Sequence, residues 1–313
     1  MNIYQLVYLK VLAEKGSYKE AAYTCNISQP ALSMAIIKFE EELGKPLINR
    51  LHHPVKLTAF GQKIYDQCKI VLYEVEVLKS IATDGDDHIS GSMRLGIIPT
   101  LAPYLLPLFL ESFIQEHPKV ELEIEETTTN YLIQKLNKGE LDAALLVSPL
   151  ETPSLKFITL FYEEFFVYVN NNSPAKTYIF PEDIDPTELW LLEEGHCLRN
   201  QILNLCELQK SGFQNIHYNA GSIETLINLV DEYGGITIIP ELATRKMSKP
   251  KKNKLISFHP PAPVREVSLA FHRYTVQKTF IQALSQSIIK NIPTYMKRED
   301  NFQRVEIEYP KVH

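Results

Sequence analysis

The sequence predicts a multidomain α+β protein with a helical N-terminal domain, a long connecting helix and a C-terminal α/β domain. Three observations predict it. Apolar residues recur at helical spacing over residues 3–43, and the same spacing continues over residues 59–81. From residue 93 onward, strand-like and helix-like segments alternate. A chain of 313 residues is long enough for about two domains of ordinary size.

The composition is that of a soluble globular protein, with 45% hydrophobic and 22% charged residues, which argues against a disordered or fibrous chain. No apolar run approaches the ~18 residues that a membrane span needs, and the first residues do not resemble a secretion signal. We therefore expect a cytoplasmic protein without permanent disulfides, although it contains four cysteines. Residues 1–60 carry seven Lys/Arg and five Asp/Glu, against 25 and 33 in the remainder, so only the N-terminal domain is weakly basic.

The N-terminal domain contains two short helical segments separated by a tight turn, which is typical of a helix-turn-helix. Ser28 is a good N-cap for the second segment, Gln29 to Leu43, and Pro30 fits its first turn. We expect Ala31 to be among the buried residues. Ser28, Gln29 and Ser33 remain on the polar face, where they could contact DNA bases or phosphates. A three-helix bundle with a merely solvated polar face is the alternative.

At this point the residues resemble the LysR-type family of bacterial transcription regulators. The resemblance implies a winged helix-turn-helix, with residues 47–57 as the wing, and DNA contacts from Ser28, Gln29, Pro30, Ser33 and Arg50. The wing departs from the family at Leu51-His52-His53-Pro54, where more Arg is usual. The matching residues are Gly16-Ser17-Tyr18, Ala21-Ala22, Ser28 to Ser33, Phe39-Glu40, Leu43-Gly44, Leu47, Arg50 and Leu57-Thr58.

A long helix should start after Thr58 and run to about Ile81. Its apolar residues recur every three or four positions and predict a coiled-coil seam that joins two subunits; the family resemblance extends this dimer to a tetramer. The polar segment 84–92 predicts a hinge. The seam residues are Ile64, Cys68, Val71, Val75, Leu78 and Ile81.

The C-terminal domain alternates strands and helices, which predicts βαβ units and an open parallel sheet. Such sheets bind ligands at the carboxyl ends of their strands, which here are followed by Pro99-Thr100, Thr127 to Thr129 and Gly195 to Cys197. The segments 221–225 and 235–240 are similar to the effector-binding domain of the LysR family, implying two lobes like those of periplasmic binding proteins. The predicted domains are 1–58 (DNA binding), 59–88 (linker), 89–300 (regulatory; lobe I about 89–163 and 267–300, lobe II about 164–266) and 301–313 (tail).

Two cysteines nine residues apart, Cys197 and Cys206, are by themselves ordinary core residues. Cys197 is flanked by His196 and Arg199, however, and cationic neighbours together with a helix N-terminus favour a reactive thiolate. Positions nine apart on one helix are ~13.5 Å apart, whereas a disulfide needs Cα atoms within ~7 Å. A bond between them therefore requires the helix to unwind, so it would act as a switch.

The segment from Leu192 to Gln201, with Cys206 after it, resembles the redox loop of the hydrogen-peroxide-sensing members of the LysR family. The resemblance implies that Cys197 is the peroxidatic thiol and Cys206 the resolving thiol. It also implies that Thr100, Thr129 and His196 hold the peroxide and that Arg273 stabilises the thiolate. Asn200, where Asp is usual, and Tyr233-Gly234-Gly235, where Gly-x-Gly is usual, depart from these members.

We therefore expect a cytoplasmic, DNA-binding activator of oxidative-stress genes, and not an enzyme. Its expected partners are double-stranded promoter DNA, RNA polymerase and a second copy of the chain, with hydrogen peroxide as the signal. No cofactor or metal is expected, since a zinc site through His196, Cys197, Cys206 and His217 would lack a Cys-x-x-Cys pair. The main alternative is a LysR-type regulator that binds a small organic effector between its lobes and has inert cysteines.

Overall fold

The computed structural model describes residues 1–50, 54–81, 89–148, 150, 152–170, 178–193, 196–206, 220–273, 275, 277–297 and 302–305. The chain forms two compact units, one comprising residues 1–86 with 137–140 and the other the remaining residues. The predicted hinge at residues 84–92 falls partly outside the described residues, as do Leu51-His52-His53 of the wing and the tail after Val305.

The N-terminal unit consists of helices joined by tight turns, followed by a two-stranded antiparallel hairpin and a long helix. Ser28 caps the third helix by accepting a hydrogen bond from the Ala31 N–H, as the sequence predicts. Asn26 adopts a positive φ of 54° in the turn before it, a conformation that Asn tolerates. The elements are α1 Ile3–Lys15, α2 Tyr18–Thr24, α3 Gln29–Leu43, β1 Ile48–Asn49, β2 Lys56–Leu57 and α4 Ala59–Ile81.

A glycine fixes the junction between the hairpin and α4. A Cβ on Gly61 would lie only 2.0 Å from the carbonyl oxygen of Leu47, so no larger residue fits without moving the backbone. The hydroxyl of Thr58 donates to the carbonyl of Pro46 and accepts from the Gly61 N–H, both at 2.8 Å. The N-terminus of α4 is thereby held against the chain that leads into the hairpin.

The predicted seam on α4 is only partly a free surface. Cys68 is buried in the core of the N-terminal domain, and Ile64 packs against the same core, because α4 lies against α1. Farther along, Val71 and Leu78 are 37% and 72% exposed. Cys68 was predicted to lie on the seam as a small buried residue. It is buried, but in the core of its own domain, since the first turns of α4 use their apolar face to complete that domain.

The C-terminal unit alternates strands and helices and contains one sheet of ten strands in the described residues. The alternation agrees with the sequence prediction. Its strands are β3 Gly91–Ile97, β4 Val120–Glu126, β5 Ala143–Ser148, β6 Leu155–Val169, β7 Tyr178–Ile179, β8 Leu189–Trp190, β9 Ile236–Pro240, β10 Leu255–Phe258, β11 Ala262–His272 and β12 Phe302–Arg304. Its helices are α5 Ala102–Glu116, α6 Thr129–Asn137, α7 Cys197–Leu205, α8 Ile223–Tyr233, α9 Glu241–Thr244, α10 Lys249–Lys252 and α11 Lys278–Asn291.

The sheet is mixed, whereas an open parallel sheet was expected. Strands β4, β3 and β5 are parallel neighbours, but β11 runs antiparallel to β5, and β6 runs antiparallel to β11. Strand β6 was not predicted, and its fifteen residues are covered on both faces over much of their length. Such a strand lacks the alternation of polar and apolar residues that marks a half-buried strand.

Two separate hydrophobic cores divide this unit into lobes. The first core contains residues of β3, β5, α5 and α11, and the second contains residues of β9, α8 and β10. Strand β6 passes from one to the other, since Phe161 lies in the first core and Phe165 in the second. Strand β11 makes the return crossing beside it, so the two lobes are joined by a pair of antiparallel strands.

Candidate functional site

Cys197 is the first residue of α7, and the positive end of a helix dipole favours a negative charge at that position. Its side chain is only 4% exposed and belongs to the first core. The hydroxyl of Thr129 lies 2.5 Å from the Cys197 sulfur. Thr129, itself buried, begins α6 immediately after β4. The structure therefore brings together two of the residues that the sequence analysis singled out.

Thr100 lies on the same edge of the sheet as Thr129. Strands β3 and β4 are parallel neighbours, with Ile97 opposite Glu126, and each threonine stands three residues beyond one of these positions. Neighbouring strands are ~4.8 Å apart, so the two threonines follow adjacent carboxyl ends, where open α/β sheets bind ligands. Thr100 is 3% exposed.

An arginine that the sequence analysis missed lies against Thr100. Arg265 Nη1 donates to Thr100 Oγ1 at 3.1 Å, and Nη2 donates to the Thr100 carbonyl at 3.2 Å. Its Nε donates to Glu163 Oε2 at 2.8 Å, and both side chains of this ion pair are completely buried. The other Glu163 oxygen accepts from the Leu242 N–H at 2.7 Å. These bonds hold the Arg265 guanidinium, paired with the Glu163 carboxylate, at the carboxyl edge of the first lobe.

Arg273, which was predicted to stabilise the Cys197 thiolate, does not lie at the sheet edge that carries Thr100 and Thr129. Arg273 follows the end of β11, whereas Arg265 is near its beginning, and because β11 runs antiparallel to β5 its end lies at the opposite edge of the sheet. Eight residues of extended chain span ~26 Å, and Arg273 is exposed there with its N–H bonded to the Ser154 carbonyl. The sequence signal that could have identified Arg265 is a charged pair, Arg265-Glu266, inside an apolar strand.

His196 precedes Cys197 and occupies the N-cap position of α7, where its side chain makes no capping hydrogen bond. It is 6% exposed, and its Nε2 lies 3.7 Å from a carboxylate oxygen of Glu193. Arg199, the other predicted cationic neighbour, donates from Nη1 to the Leu192 carbonyl at 2.9 Å. That guanidinium thus anchors the chain that leads into α7.

Cys206 is the C-cap residue of the same helix and packs in the second core. Burial raises the pKa of its thiol to about 12, and the nearby negative charge of Glu182 acts in the same direction. Both cysteines are free thiols in this structure. The two sulfur-bearing residues therefore occupy opposite ends of one helix and different cores.

Gln201 is a second buried residue that the sequence analysis did not select. It lies four residues after Cys197, and therefore on the same face of α7. Its side chain is completely buried, and within the described part of the chain neither amide atom has a hydrogen-bond partner. An unsatisfied buried amide weakens the packing of α7.

The predicted DNA-contacting face lies at the N-terminus of α3. Ser28, Gln29 and Pro30 are exposed, and Ser33 is partly buried. Ala31, which was expected to be buried, is exposed beside them, because the core face of α3 is formed by Leu32, Ile36 and Phe39. The first turn of α3 therefore presents the side chains of Ser28, Gln29 and Pro30 outward, as a helix that contacts phosphates or bases requires.

Arg50 at the start of the wing is 55% exposed and forms a 2.8 Å ion pair with Glu40. The other Glu40 oxygen accepts hydrogen bonds from the N–H groups of Leu47 and Ile48, at 2.7 and 3.0 Å. The Glu40 carboxylate thus connects the hairpin to α3 and also orients Arg50.

Among the described residues, no group of three or more His, Cys, Asp or Glu side chains is placed to hold a metal ion; His217 is not among these residues. The helices of the described chain include none that is long and apolar enough to span a membrane.

Two family models match the chain. The model of the bacterial regulatory helix-turn-helix protein, lysR family, matches residues 3–62, and that of the LysR substrate binding domain matches residues 86–292. A hydrogen peroxide-inducible genes activator of Haemophilus influenzae is 36% identical over 273 residues, which cover 87% of this chain and 90% of that protein. The DNA-binding transcriptional dual regulator OxyR of Escherichia coli is 34% identical, covering 92% of this chain and 95% of that protein.

Solved structures give the same grouping. A full-length OxyR variant from Pseudomonas aeruginosa superposes with a TM-score of 0.77 at 30% identity, covering 93% of this chain and 99% of that one. The helix-turn-helix match, the regulatory-domain match and this full-length similarity agree over both units of the chain. The protein belongs to the LysR family of bacterial DNA-binding transcription regulators, which are not enzymes.

Proposed function

We propose that this regulator senses hydrogen peroxide by reversible oxidation of Cys197 and Cys206 and controls oxidative-stress genes in response. The observation that carries the proposal is the position of Cys197, at a helix N-terminus and in contact with the Thr129 hydroxyl. A helix N-terminus and a hydroxyl donor can both stabilise the charge that moves between the sulfur and the peroxide during the attack. The similarity to proteins named hydrogen peroxide-inducible genes activators supports the same signal.

The first chemical step is attack of the Cys197 sulfur on one peroxide oxygen. The O–O bond breaks, a sulfenic acid forms, and the departing hydroxide takes a proton to become water. Thr129 and Thr100 offer hydroxyl groups at the sheet edge where that negative charge develops, and Arg265 holds Thr100 in place by hydrogen bonds to its hydroxyl and carbonyl. His196 and Thr129 are the side chains that we propose to hold the peroxide beside the sulfur.

In the second step the Cys206 sulfur attacks the sulfenic sulfur, and water leaves as the disulfide forms. One peroxide and two thiols thereby yield one disulfide and two water molecules. Nine residues of helix separate the two positions by ~13.5 Å, and a disulfide allows only ~7 Å between Cα atoms. The intervening helix must unwind, so we propose that oxidation converts one packing of the regulatory domain into another.

Binding to DNA follows from membership of the LysR family. We infer that Ser28, Gln29, Pro30, Ser33 and Arg50 contact promoter DNA. We also infer a homodimer or homotetramer, cytoplasmic location and contact with RNA polymerase during activation. The exposed apolar residues of α4, Val71 and Leu78, are the best candidates on that helix for contact with a second copy.

Trapping of sulfenic acids tests the thiol chemistry directly. Low micromolar peroxide should label Cys197 far faster than Cys25 or Cys68, and Cys206→Ser should accumulate the sulfenic acid while the unaltered chain proceeds to the disulfide. Burial raises the pKa of Cys68 to about 11, which makes it a stringent internal control. Equal labelling of all thiols, or none, would favour the alternative of a small organic effector bound between the lobes.

The consequence for DNA is tested with the same variant. Cys206→Ser should leave the DNase footprint unchanged after peroxide, whereas the unaltered protein should shift its footprint. A complete shift in Cys206→Ser would mean that oxidised Cys197 alone is the signal.

A further inference from the structure

The C-terminal segment of the described chain adds a strand beyond residues 86–292, the part of the chain that the model of the LysR substrate binding domain matches. Residues Phe302–Arg304 form β12, which pairs in parallel with the first residues of β11, Ala262 to Val264. The Val305 N–H continues the pairing by donating to the Val264 carbonyl at 3.0 Å. The segment is therefore an integral strand of the regulatory domain.

The end of this segment packs in the second lobe, beside a strand that joins the two lobes. Val305 is 7% exposed and packs in the second core, whereas Met296, just after α11, is buried in the first core. Strands β6 and β11 join the lobes, and β12 lies directly beside β11. Contacts of β12 and Val305 with a joining strand and with the second core resist a shift of that core relative to the strand.

Arg304 fastens the segment to both crossing strands. Its Nη1 lies 3.1 Å from Glu266 Oε2 on β11, and its Nη2 donates to the Tyr162 hydroxyl on β6 at 2.7 Å. The guanidinium also lies over the Tyr162 ring, 5.0 Å from its centre. Glu266 and Tyr162 are directly opposite each other in the sheet, one position from the Arg265–Glu163 pair.

The contact with Arg304 matters for stability because the Glu266 carboxylate is buried. Its carboxylate is 9% exposed and also accepts hydrogen bonds from Ser148 Oγ at 2.6 Å and Thr159 Oγ1 at 3.0 Å. A buried carboxylate without a cationic partner is strongly destabilising. Among the described residues, Arg304 is the cation that pairs with Glu266.

We propose that residues 302–305 form a strap that stabilises the dithiol arrangement of the two lobes and so limits how readily the Cys197–Cys206 disulfide forms. This inference rests on the proposed function. The strap contacts belong to the dithiol structure, and the disulfide must bring together two sulfur atoms that now lie in different cores. Any shift of the lobes about β6 and β11 that this requires works against Arg304 and Val305.

The test measures the dithiol–disulfide equilibrium of the full chain in buffers of reduced and oxidised glutathione. One oxidised glutathione takes two electrons and two protons from the dithiol, which yields the protein disulfide and two reduced glutathione molecules. Deletion of residues 302–313 should shift the equilibrium about tenfold towards the protein disulfide, the size expected when a charged hydrogen bond is lost from one state only. Deletion of residues 306–313, which keeps the strap, should leave it unchanged.

Milder variants decide the question if the longer deletion does not fold. Arg304→Gln and Tyr162→Phe should both shift the equilibrium in the same direction as the deletion. Lys290→Gln is the matched control, because its ion pair with Glu116 joins two helices of the first lobe only. In a Cys206→Ser background, Arg304→Gln should leave the rate of sulfenic acid formation at Cys197 unchanged.

Denaturant unfolding of each redox form shows whether the strap stabilises the dithiol form in particular or both forms equally. Arg304→Gln should lower the stability of the dithiol form more than that of the disulfide form. Equal losses in both forms, with an unchanged glutathione equilibrium, would overturn the strap while leaving peroxide sensing intact. Failure of the unaltered chain to form the disulfide with peroxide would overturn both proposals.

Discussion

Cys197 and Cys206 occupy the two ends of α7 and pack in different hydrophobic cores, Cys197 in the first lobe and Cys206 in the second. A disulfide between them must remove at least one sulfur from its core and unwind the helix that separates them. Helix α7 also carries Gln201, whose buried amide has no partner within the described residues. Because this buried amide lacks a hydrogen bond, unwinding α7 should require less free energy than unwinding a helix whose buried polar groups are all paired.

Thr129→Val should slow the oxidation of Cys197 by peroxide about 10- to 100-fold, because it removes the hydroxyl that contacts the sulfur while keeping the shape of the side chain. Thr129→Ser, which retains the hydroxyl, should keep most of the rate. Stopped-flow measurement of thiol loss provides the comparison. Equal rates for the Val and Ser variants would show that the hydroxyl has no part in the reaction.

Arg265→Lys should lower the rate of Cys197 oxidation and destabilise the regulatory domain by about 1–3 kcal/mol, because the lysine cannot bond Glu163 and Thr100 together. Arg273→Lys, at the other edge of the sheet, should alter neither quantity appreciably. Urea unfolding and peroxide kinetics of both variants make the test. A larger loss of oxidation rate in Arg273→Lys than in Arg265→Lys would support the original prediction that Arg273 assists the reaction of Cys197.

Cys206 should react very slowly with iodoacetamide at pH 8 in the folded dithiol protein. With a pKa raised to about 12, its thiolate fraction is smaller by ~10³ than that of an ordinary thiol with a pKa near 8.5. Alkylation in a Cys197→Ser variant, followed by mass spectrometry in native buffer and in urea, isolates this residue. Similar rates in the two solvents would mean that Cys206 is accessible before the switch.

The same pKa shift makes a prediction about stability. Because the folded-state pKa is the higher one, the neutral Cys206 thiol contributes stability that is complete below pH ~8.5 and is lost as the pH rises towards about 12. The free energy of unfolding of the dithiol protein should therefore fall between pH 9 and 11 by less in Cys206→Ser than in the unaltered chain, as urea titrations at each pH would reveal.

Gln29→Ala should reduce the preference for operator DNA over random duplex more than it reduces affinity for random duplex, because an exposed Gln at the start of α3 can read base edges. Gln62→Ala, on α4 and hydrogen-bonded to Asp66, is the control. Fluorescence anisotropy with both duplexes at one salt concentration measures it. Proportional losses on both duplexes would assign Gln29 to phosphate contact.

Gly61→Ala should destabilise the N-terminal domain by at least about 2 kcal/mol, since the added methyl would lie 2.0 Å from the Leu47 carbonyl oxygen. Gly221→Ala should change stability by less than about 0.5 kcal/mol, since no described atom beyond its chain neighbours lies within 4 Å of the added Cβ. Circular dichroism melts would report both. DNA binding should fall in Gly61→Ala alone.

Local sequence determined most of the helix-turn-helix and the start of the regulatory domain. The bounds of α3, Gln29–Leu43, follow from Ser28 as N-cap, Pro30 in the first turn and the glycine after Leu43, all of which act within a few residues. The short parallel strands β3 to β5 are similarly marked by their apolar runs. Cys197 could be selected from the sequence because the features that suggested it, a helix start and neighbouring basic residues, are adjacent to it in the chain.

Only the tertiary structure decided which arginine faces Thr100, which face of α4 is free, and where the C-terminal segment lies. Each depends on contacts between residues far apart in the chain: Arg265 with Thr100, Cys68 with the core of α1 to α3, and Arg304 with Glu266. The direction of β11 sets the first of these, and strand direction is fixed by pairing with β5 and β6, which leaves no local mark on the sequence. Residue types and their spacing therefore determined the chemistry available, and long-range strand pairing determined which residues share the site.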